Sequence, residues 1–262
     1  YKKPISYKEY CKSFDKSKNY NADSIVIEGE KLTTKNSVTI LPKSDKTSPA
    51  TTPQSATTLK LNTVGGESWK NIGETISWDF EVNETGIYQI ALRFRQSLKD
   101  GIFTNRKLYI DGEIPFEEAQ YFRFNYHSKW QCKKLGDENE EFSFYLEKGK
   151  HTISLEACAG DTAQIVATVQ SSINELNRIY RRITMITGAS PDTNRDYGFD
   201  ALIPDEIKQM RKIKNDLQNS VEYINKQAGA NGSYTSIIQK IIFQLKQMTD
   251  TPRNIAKYLV RF

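Results

Sequence analysis

Several things are scarce in these 262 residues, and each scarcity removes a class of function. Histidine occurs only at His127 and His151, which excludes a histidine-rich metal site. Neither has a nucleophile motif to serve, so a catalytic triad has no support. The three cysteines, Cys11, Cys132 and Cys158, form neither a CxxC nor a metal spacing. Cys132 and Cys158 could bridge in an exported protein, but nothing in the sequence requires it. No apolar run approaches the roughly 18 residues of a membrane span. No methionine opens the chain at Tyr1, so a piece of a longer polypeptide is expected. Charge is not gathered in runs of one sign. The 37 Lys and Arg interleave with 32 Asp and Glu, leaving a net charge of +5. Without a basic stripe, nucleic-acid binding loses its usual footprint.

What is present divides into two halves near residue 160. Before it, apolar residues alternate. ISWDFEV (76–82) sets Ile76, Trp78, Phe80 and Val82 on one face, with Trp78 read as core. IYQIALRF (87–94) and KLYIDG (107–112) read as strands, the second ending in an Asp-Gly turn signal. FSFYLEKGKHTISLEA (142–157) reads as strand, Lys-Gly turn, strand; IVIEGE (25–30) and SVTILP (37–42) supply two more. Many short strands with turns between them predict an antiparallel sandwich or barrel. SYKEYCKSF (6–14) predicts a short helix with Ser6 as N-cap. The Ser/Thr/Pro-rich stretch 44–58 reads as a long surface loop or linker.

After residue 160 the period becomes helical. Ile165, Val169, Ile173 (or Ser172), Leu176, Tyr180 and Ile183 follow three- and four-residue steps. So do Ile203, Ile207, Met210, Ile213, Leu217, Val221 (or Ser220) and Ile224. A third stripe runs Tyr234, Ile237, Ile238, Ile241, Leu245, Met248; a fourth starts at Ile255, Leu259 and Phe262. Gly188 stops the first helix, Pro204 starts the second, AGANGS (228–233) joins second to third, and Thr251-Pro252 opens the fourth. Short connections between helices of about 20 residues predict an antiparallel bundle whose stripes form its core.

The candidate chemistry is sparse. VGGESWK (64–70) places two glycines before a strand, whereas a phosphate loop needs them before a helix N-terminus. Glu117-Glu118 and the acidic stretch 137–141 read as solvated turns rather than a glycosidase pair. Glu28 and Glu30 alternate on the expected strand IVIEGE. Such a pair could hold a structural calcium through oxygen ligands, although a solvated strand face is the favoured reading. No nucleophile elbow, zinc motif or cofactor fingerprint occurs, so the chain is read as non-catalytic.

Aromatics carry more information. Trp69, Phe103, Tyr121, Phe122, Phe124, Tyr126 and Trp130 fall in or beside expected loops, among Asn62, Asn71, Asn105, Arg106, Asn125 and Lys129. Sugar rings present apolar C–H faces that stack on flat aromatic rings, and hydroxyls that bond amide or guanidinium donors. The bland reading is that these rings cap the sandwich core, and it is favoured for Phe122 and Phe124. For Trp69 and Trp130 the two readings are balanced.

Two resemblances follow from quoted segments. LNTVGGESWKNIGETISWDFEVNETGIYQIALRFRQ (61–96), with IVIEGE and LEKGKHTISLE, resembles carbohydrate-binding modules of the family 6 and family 35 type. GIFTNRKLYIDGEIPFEEAQYFRFNYHSKWQ, LGDENEEFSFYLEKGKHTISLE and LNRIYRRITMITGASPDTNRDY resemble the accessory region of large extracellular solute-binding lipoproteins of sugar ABC transporters in Gram-positive bacteria. The resemblance implies export, anchoring through a missing N-terminal part of the parent, and partnership with the rest of that protein and its permease. Trp69 falls where such modules keep a loop aromatic; Asn105-Arg106 and Lys129-Trp130 match the solute-binding family's own motif. Two departures stand out. The modules close with a further strand, where LEACAGDTAQIVATV turns into a helix. The two α/β lobes of a solute-binding domain are absent.

The resulting expectation is an all-β jelly-roll sandwich, residues 1–160, then an all-α antiparallel helical bundle, residues 161–262, truncated at its C-terminal end. Its expected role is non-catalytic binding of an oligosaccharide or polysaccharide by Trp69, Trp130, Tyr126, Asn105, Arg106 and Lys129. The alternative is a spacer that orients the solute-binding domain or docks a partner protein.

Overall fold

The computed structural model describes residues 3–15, 24–98, 100–137, 139–229 and 235–259. They pack as two compact units, one of residues 1–98 and 103–160, the other of residues 99–102 and 161–262.

The first unit carries a short helix α1 (Tyr7–Tyr10) and eleven strands: β1 (Thr34–Lys35), β2 (Pro42–Lys43), β3 (Thr63–Val64), β4 (Thr75–Val82), β5 (Gly86–Gln89), β6 (Ala91–Phe94), β7 (Phe103–Ile110), β8 (Phe122–Asn125), β9 (Gln131–Lys134), β10 (Ser143–Leu146) and β11 (Gly149–Cys158). One layer is a five-stranded antiparallel sheet, β1-β4-β11-β7-β8. Facing it are the ladders β5–β10 and β6–β9. Ile76, Trp78, Leu108, Ile153 and Leu155 of the sheet share one core with Leu135, Phe142 and Phe144 of the facing layer. That is a sandwich-like arrangement, and the strict alternation of β4 is its clearest sequence trace.

Helix α1 has the expected Ser6 cap, whose Oγ accepts from the Glu9 N–H. It also closes a sheet edge. The N–H groups of Ser143 and Tyr145, two residues apart on β10, donate to the phenol oxygens of Tyr7 and Tyr10 at 2.8 and 3.0 Å. Two tyrosines three apart on a helix therefore satisfy two edge donors that water or another strand would otherwise take.

Some expected strands fail. IVIEGE forms none, and Val26 is 79% exposed. Alternation supplies a face but not a partner: Thr33 to Asn36 already bond the outer edge of β4 at Ser77 and Thr75. Glu28 and Glu30 flank a turn instead, with Lys31 N–H donating to the Glu28 carbonyl, so the shared strand face invoked for calcium does not exist. Of SVTILP only Pro42 pairs. IYQIALRF is broken at Ile90. Strands β10 and β11 do not form a hairpin; the chain crosses from one layer to the other at their turn. Phe103, Phe122 and Phe124 lie within strands and are buried.

The second unit contains α2 (Ala163–Thr187), α3 (Phe199–Leu202), α4 (Pro204–Ala228), α5 (Ser236–Asp250) and α6 (Ile255–Leu259). Tyr223 near the end of α4 bonds Asp161 just before α2, and Arg211 early in α4 bonds the Thr249 carbonyl late in α5. Both contacts require antiparallel neighbours. Gly188 ends α2 and Pro204 begins α4 as expected, whereas Pro252 opens a separate 3-10 turn before α6. Tyr234, Phe262 and most of AGANGS lie outside the described residues.

The stripe of α2 needs a correction. Two stripes run through this helix, sharing Val169, Leu176 and Ile183 but diverging by one residue, about 100° of rotation, elsewhere. The buried one uses Ser172 and Ile179; Ile173 and Tyr180 are 47% and 46% exposed. Ser172 is tolerated in the interior because its Oγ donates to the Thr168 carbonyl one turn back. We expect Ile179→Ala to cost about 2–4 kcal/mol and Ile173→Ala less than about 0.5 kcal/mol. Urea unfolding followed by far-UV dichroism checks this, and equal losses would restore the other stripe.

One charged contact ties two turns of the sandwich together. His151 Nδ1 lies 2.7 Å from Asp111 Oδ2, and its Nε2 lies 2.7 Å from the Glu147 carbonyl. Both partners only accept, so the two contacts favour the protonated ring, in which both nitrogens donate. Burial pushes its pKa down, but the Asp111 carboxylate and the Glu147 carbonyl more than offset this and hold it above the ordinary histidine value. A raised folded pKa gives stability that is complete below the unfolded value of about 6.5 and is lost as pH rises through the folded value. Asp111→Asn keeps the bond that Asp111 Oδ1 accepts from Thr152 N–H and tolerates the left-handed backbone there (φ 53°). Thermal midpoints should separate variant from parent at about pH 5.5, below the unfolded value, and converge as pH rises past the raised folded value.

Candidate functional site

The two loop tryptophans are held by different networks. Trp69 sits on the loop between β3 and β4. Gly65 (φ 94°) and Gly66 (φ 66°) take backbone conformations that favour glycine, and a 3-10 turn then leads to Trp69. The bend at Gly65 packs on the indole; a Cβ there would lie 3.1 Å from Trp69 Cε3. The indole N–H donates to the Glu74 carbonyl at 2.9 Å.

Glu74 organises this loop. Its carboxylate accepts from the N–H groups of Lys70 and Asn71, the Asn71 amide and the Thr39 hydroxyl, all within 3.1 Å. Those donors, led by Asn71, bring its pKa down to about 2, against the opposing effect of desolvation. The loop is also zipped to β11: Gly73 N–H donates to the Ala157 carbonyl and Ala157 N–H to the Glu74 carbonyl, each at 2.8 Å.

Arg106 and Asn105 come from β7 into the same cluster. The Arg106 guanidinium lies 4.1 Å from the centre of the Trp69 ring and donates to the carbonyls of Trp69 and Asn105. Burial pushes its pKa down to about 10, while the Glu74 carboxylate opposes the shift, so it stays charged at neutral pH. Asn105 is 3% exposed and its amide donates to the Ala159 carbonyl. Trp69, Asn105 and Arg106 are thus brought together, around an indole already packed on Gly65 and a guanidinium.

Trp130 lies in a second cluster that has no residue in common with the first. Arg93 on β6 and Arg95 just after its end place their guanidiniums 5.5 and 5.3 Å from its ring centre. The Trp130 N–H donates to Asp45 Oδ1 at 3.2 Å, and Arg95 pairs with Asp45 Oδ2 at 2.8 Å. Arg93 donates to the hydroxyls of Ser48 and Thr51, and Arg95 to that of Thr47. Asn62, 6% exposed, completes the clamp by bonding both backbone groups of Asp45 and the carbonyls of Thr51 and Pro53. The stretch 44–58 is therefore an ordered loop of the sandwich. Burial raises the Asp45 carboxyl, but the bonds from Thr47 and Trp130 and the Arg95 charge leave it below the usual aspartate range.

Trp130 is half-buried, Arg93 is exposed, and a guanidinium has five donors, so unused N–H groups stand beside a partly open indole. Lys129 is exposed and Tyr126 half-buried next to it; the Lys129 N–H donates to His127 Nδ1. Sequence reasoning missed Arg93 and Arg95, although their alternation opposite an apolar face was a usable signal. Glu74 and Asp45 had no signal, because a loop carboxylate looks alike whether it faces water or backbone. The three cysteines are free thiols. Among the described residues, no group of three or more His, Cys, Asp or Glu could hold a metal ion, and no helix is long and apolar enough to cross a membrane.

With this geometry in place, residues 164–262 match the family model of the bacterial solute-binding protein, 4-helix bundle domain. Comparison with curated proteins finds no match. Similar solved structures include a cycloisomaltooligosaccharide glucanotransferase of Paenibacillus sp. in complex with cycloisomaltoheptaose (22% identity, 51% of this chain and 16% of that chain, TM-score 0.38). A family 35 carbohydrate binding module from Clostridium thermocellum is similar at 16% identity over 37% of this chain and 65% of that one, TM-score 0.30. So is a GH26-CBM35 β-(1,4)-mannanase of Podospora anserina, at 13% identity over 50% and 23%, TM-score 0.34. The chain thus spans 16% of the length of that glucanotransferase.

The Glu74 anchor has a sharp test. A depressed folded pKa gives stability that is present above the unfolded value of about 4.3 and lost as pH falls through about 2. Glu74→Gln should lower the thermal midpoint at neutral pH and flatten the acid limb of the stability curve between about pH 4.5 and about pH 2. Parallel acid limbs in parent and variant would place the titrating anchor elsewhere.

Proposed function

We propose that this chain is a non-catalytic carbohydrate-binding part of a bacterial surface solute-binding protein, and that Trp130 is its stacking platform. The observation that carries this is the half-buried Trp130 indole beside the exposed Arg93 guanidinium, both held by a loop whose polar groups are already satisfied. A preorganised ring and donor lose little freedom when a sugar docks. The match of the helical region to a solute-binding protein domain supports the setting. Under this reading the chain works outside the cell, tethered by the rest of its parent, and hands sugar on toward a permease. Tyr126 and Lys129 extend the platform, while Trp69, Asn105 and Arg106 serve mainly to shape the loop end.

One observation favours the alternative of a spacer or docking module. The guanidiniums near both tryptophans already bond the protein's own oxygens, as a purely structural staple would require. Isothermal titration against neutral oligosaccharides separates the two. The binding reading expects a dissociation constant of about 1 mM or tighter, weakened at least about tenfold by Trp130→Ala and by Arg93→Ala. Trp69→Ala should lower stability more than affinity. No binding by any sugar, or binding indifferent to Trp130→Ala, sinks the platform assignment.

A further inference from the structure

We propose that the helical unit contains a separate binding site for a small anionic ligand, one carrying phosphate or carboxylate on a hydroxylated body. The site is an open surface depression of about 640 Å³ between the connection from α2 to α3 and the start of α6. That volume lies within the usual range for small-ligand sites. Arg195 lines it from the connection, and Arg253 and Lys257 line it from the opposite side. Every residue that lines it is polar or charged, the amides of Asn194 and Asn254 among them. A neutral sugar would find no stacking surface here, so the chemistry differs from that around Trp130.

The charge balance of the depression is unusual. Three cations face one carboxylate, Asp196, whose Oδ1 accepts from the Gly198 N–H. Nearby Asp192 is likewise turned to backbone, accepting from the Asn194 N–H. Among the described residues, none of Arg195, Arg253 and Lys257 has a carboxylate within 4.0 Å. The Arg195 guanidinium is positioned instead over the Tyr197 ring, at 5.0 Å from its centre. Ile255 and Ala256, which lie between Asn254 and Lys257 in sequence, are completely buried. Three cations against one lining carboxylate leave an excess of positive charge, and an oxyanion offsets it while accepting paired N–H donors from the arginine forks. The amides can bond the hydroxyls of the same ligand.

This inference is independent of the sugar reading, since it uses no residue of the sandwich. Titration of the whole chain followed by calorimetry, at low and at physiological salt, would use inorganic phosphate, glucose 6-phosphate, galacturonate and uncharged glucose. Phosphate-bearing or carboxylate-bearing probes should bind with dissociation constants of about 1 mM or below and weaken with salt. The R253A/K257A variant should lose at least about tenfold in affinity. Both side chains are exposed, so its thermal midpoint should match the parent's. Preference for glucose 6-phosphate identifies a phosphorylated source, and preference for galacturonate an acidic glycan. The proposal falls if no anionic probe binds below about 10 mM. It also falls if glucose binds as well as its phosphate, or if the double variant binds as the parent does.

Discussion

A loop carboxylate that accepts backbone and side-chain donors is the interaction on which both tryptophan loops depend. Glu74 gathers four donors from its own loop and from Thr39. Asp45 gathers Thr47, Trp130 and Arg95. A loop has no ladder to satisfy its polar groups, and buried ones left unpaired would be costly. An ionised carboxylate offers about four lone-pair sites, and its bonds are roughly twice as strong as neutral ones. One side chain can therefore replace a stretch of secondary structure. Without these anchors the glycines at 65, 66 and 73 would leave the Trp69 loop a broad ensemble.

The anchors work because the sheet beneath them is firm. Strand β11 is paired along both edges, to β4 and β7, and its Ala157 exchanges bonds with the loop at Gly73 and Glu74. The Trp69 loop is in this sense a continuation of the central ladder. The Trp130 loop is fixed differently, by side chains reaching from β6 across to residues 45–53. The first fastening is mainly backbone and local; the second joins residues some 85 positions apart through charged groups. The second is accordingly the more exposed to salt, and the more open to exchange with an incoming ligand.

How much of this was legible in the sequence depends on period and on partner. Strand β4 and helix α4 could be read directly, because Ile76, Trp78 and Val82, or Ile207, Met210, Ile213 and Leu217, repeat at one period only. Helix α2 was ambiguous, since Ile173 and Tyr180 fit a stripe as well as Ser172 and Ile179 do. Only packing chooses between faces that close in angle. IVIEGE has strand-like residues and no edge to join. Of the candidate site, Trp69, Asn105 and Arg106 were expected as ligand-binding residues, and the structure brings the three together. That they gather around one indole while Trp130 gathers Arg93 and Arg95 was not readable. Contacts between residues dozens of positions apart leave no local pattern.

The two tryptophans can be weighed by what their neighbours leave unused. Arg106 is largely withdrawn from solvent, and the carbonyls it bonds belong to its own cluster, so a ligand at Trp69 would have to displace structure to gain a donor. Arg93 is exposed, and of the two hydroxyls it bonds that of Thr51 is buried while that of Ser48 is half-exposed, where water or a sugar hydroxyl can replace it. Binding energy is gained where the free protein has not already spent its donors on itself. By that criterion Trp69 is the more fully committed to the protein's own contacts, and Trp130 the less. The depression beside α6 can be weighed in the same way: among the described residues Arg195, Arg253 and Lys257 form no ion pair, so their donors are not committed to carboxylates of the protein.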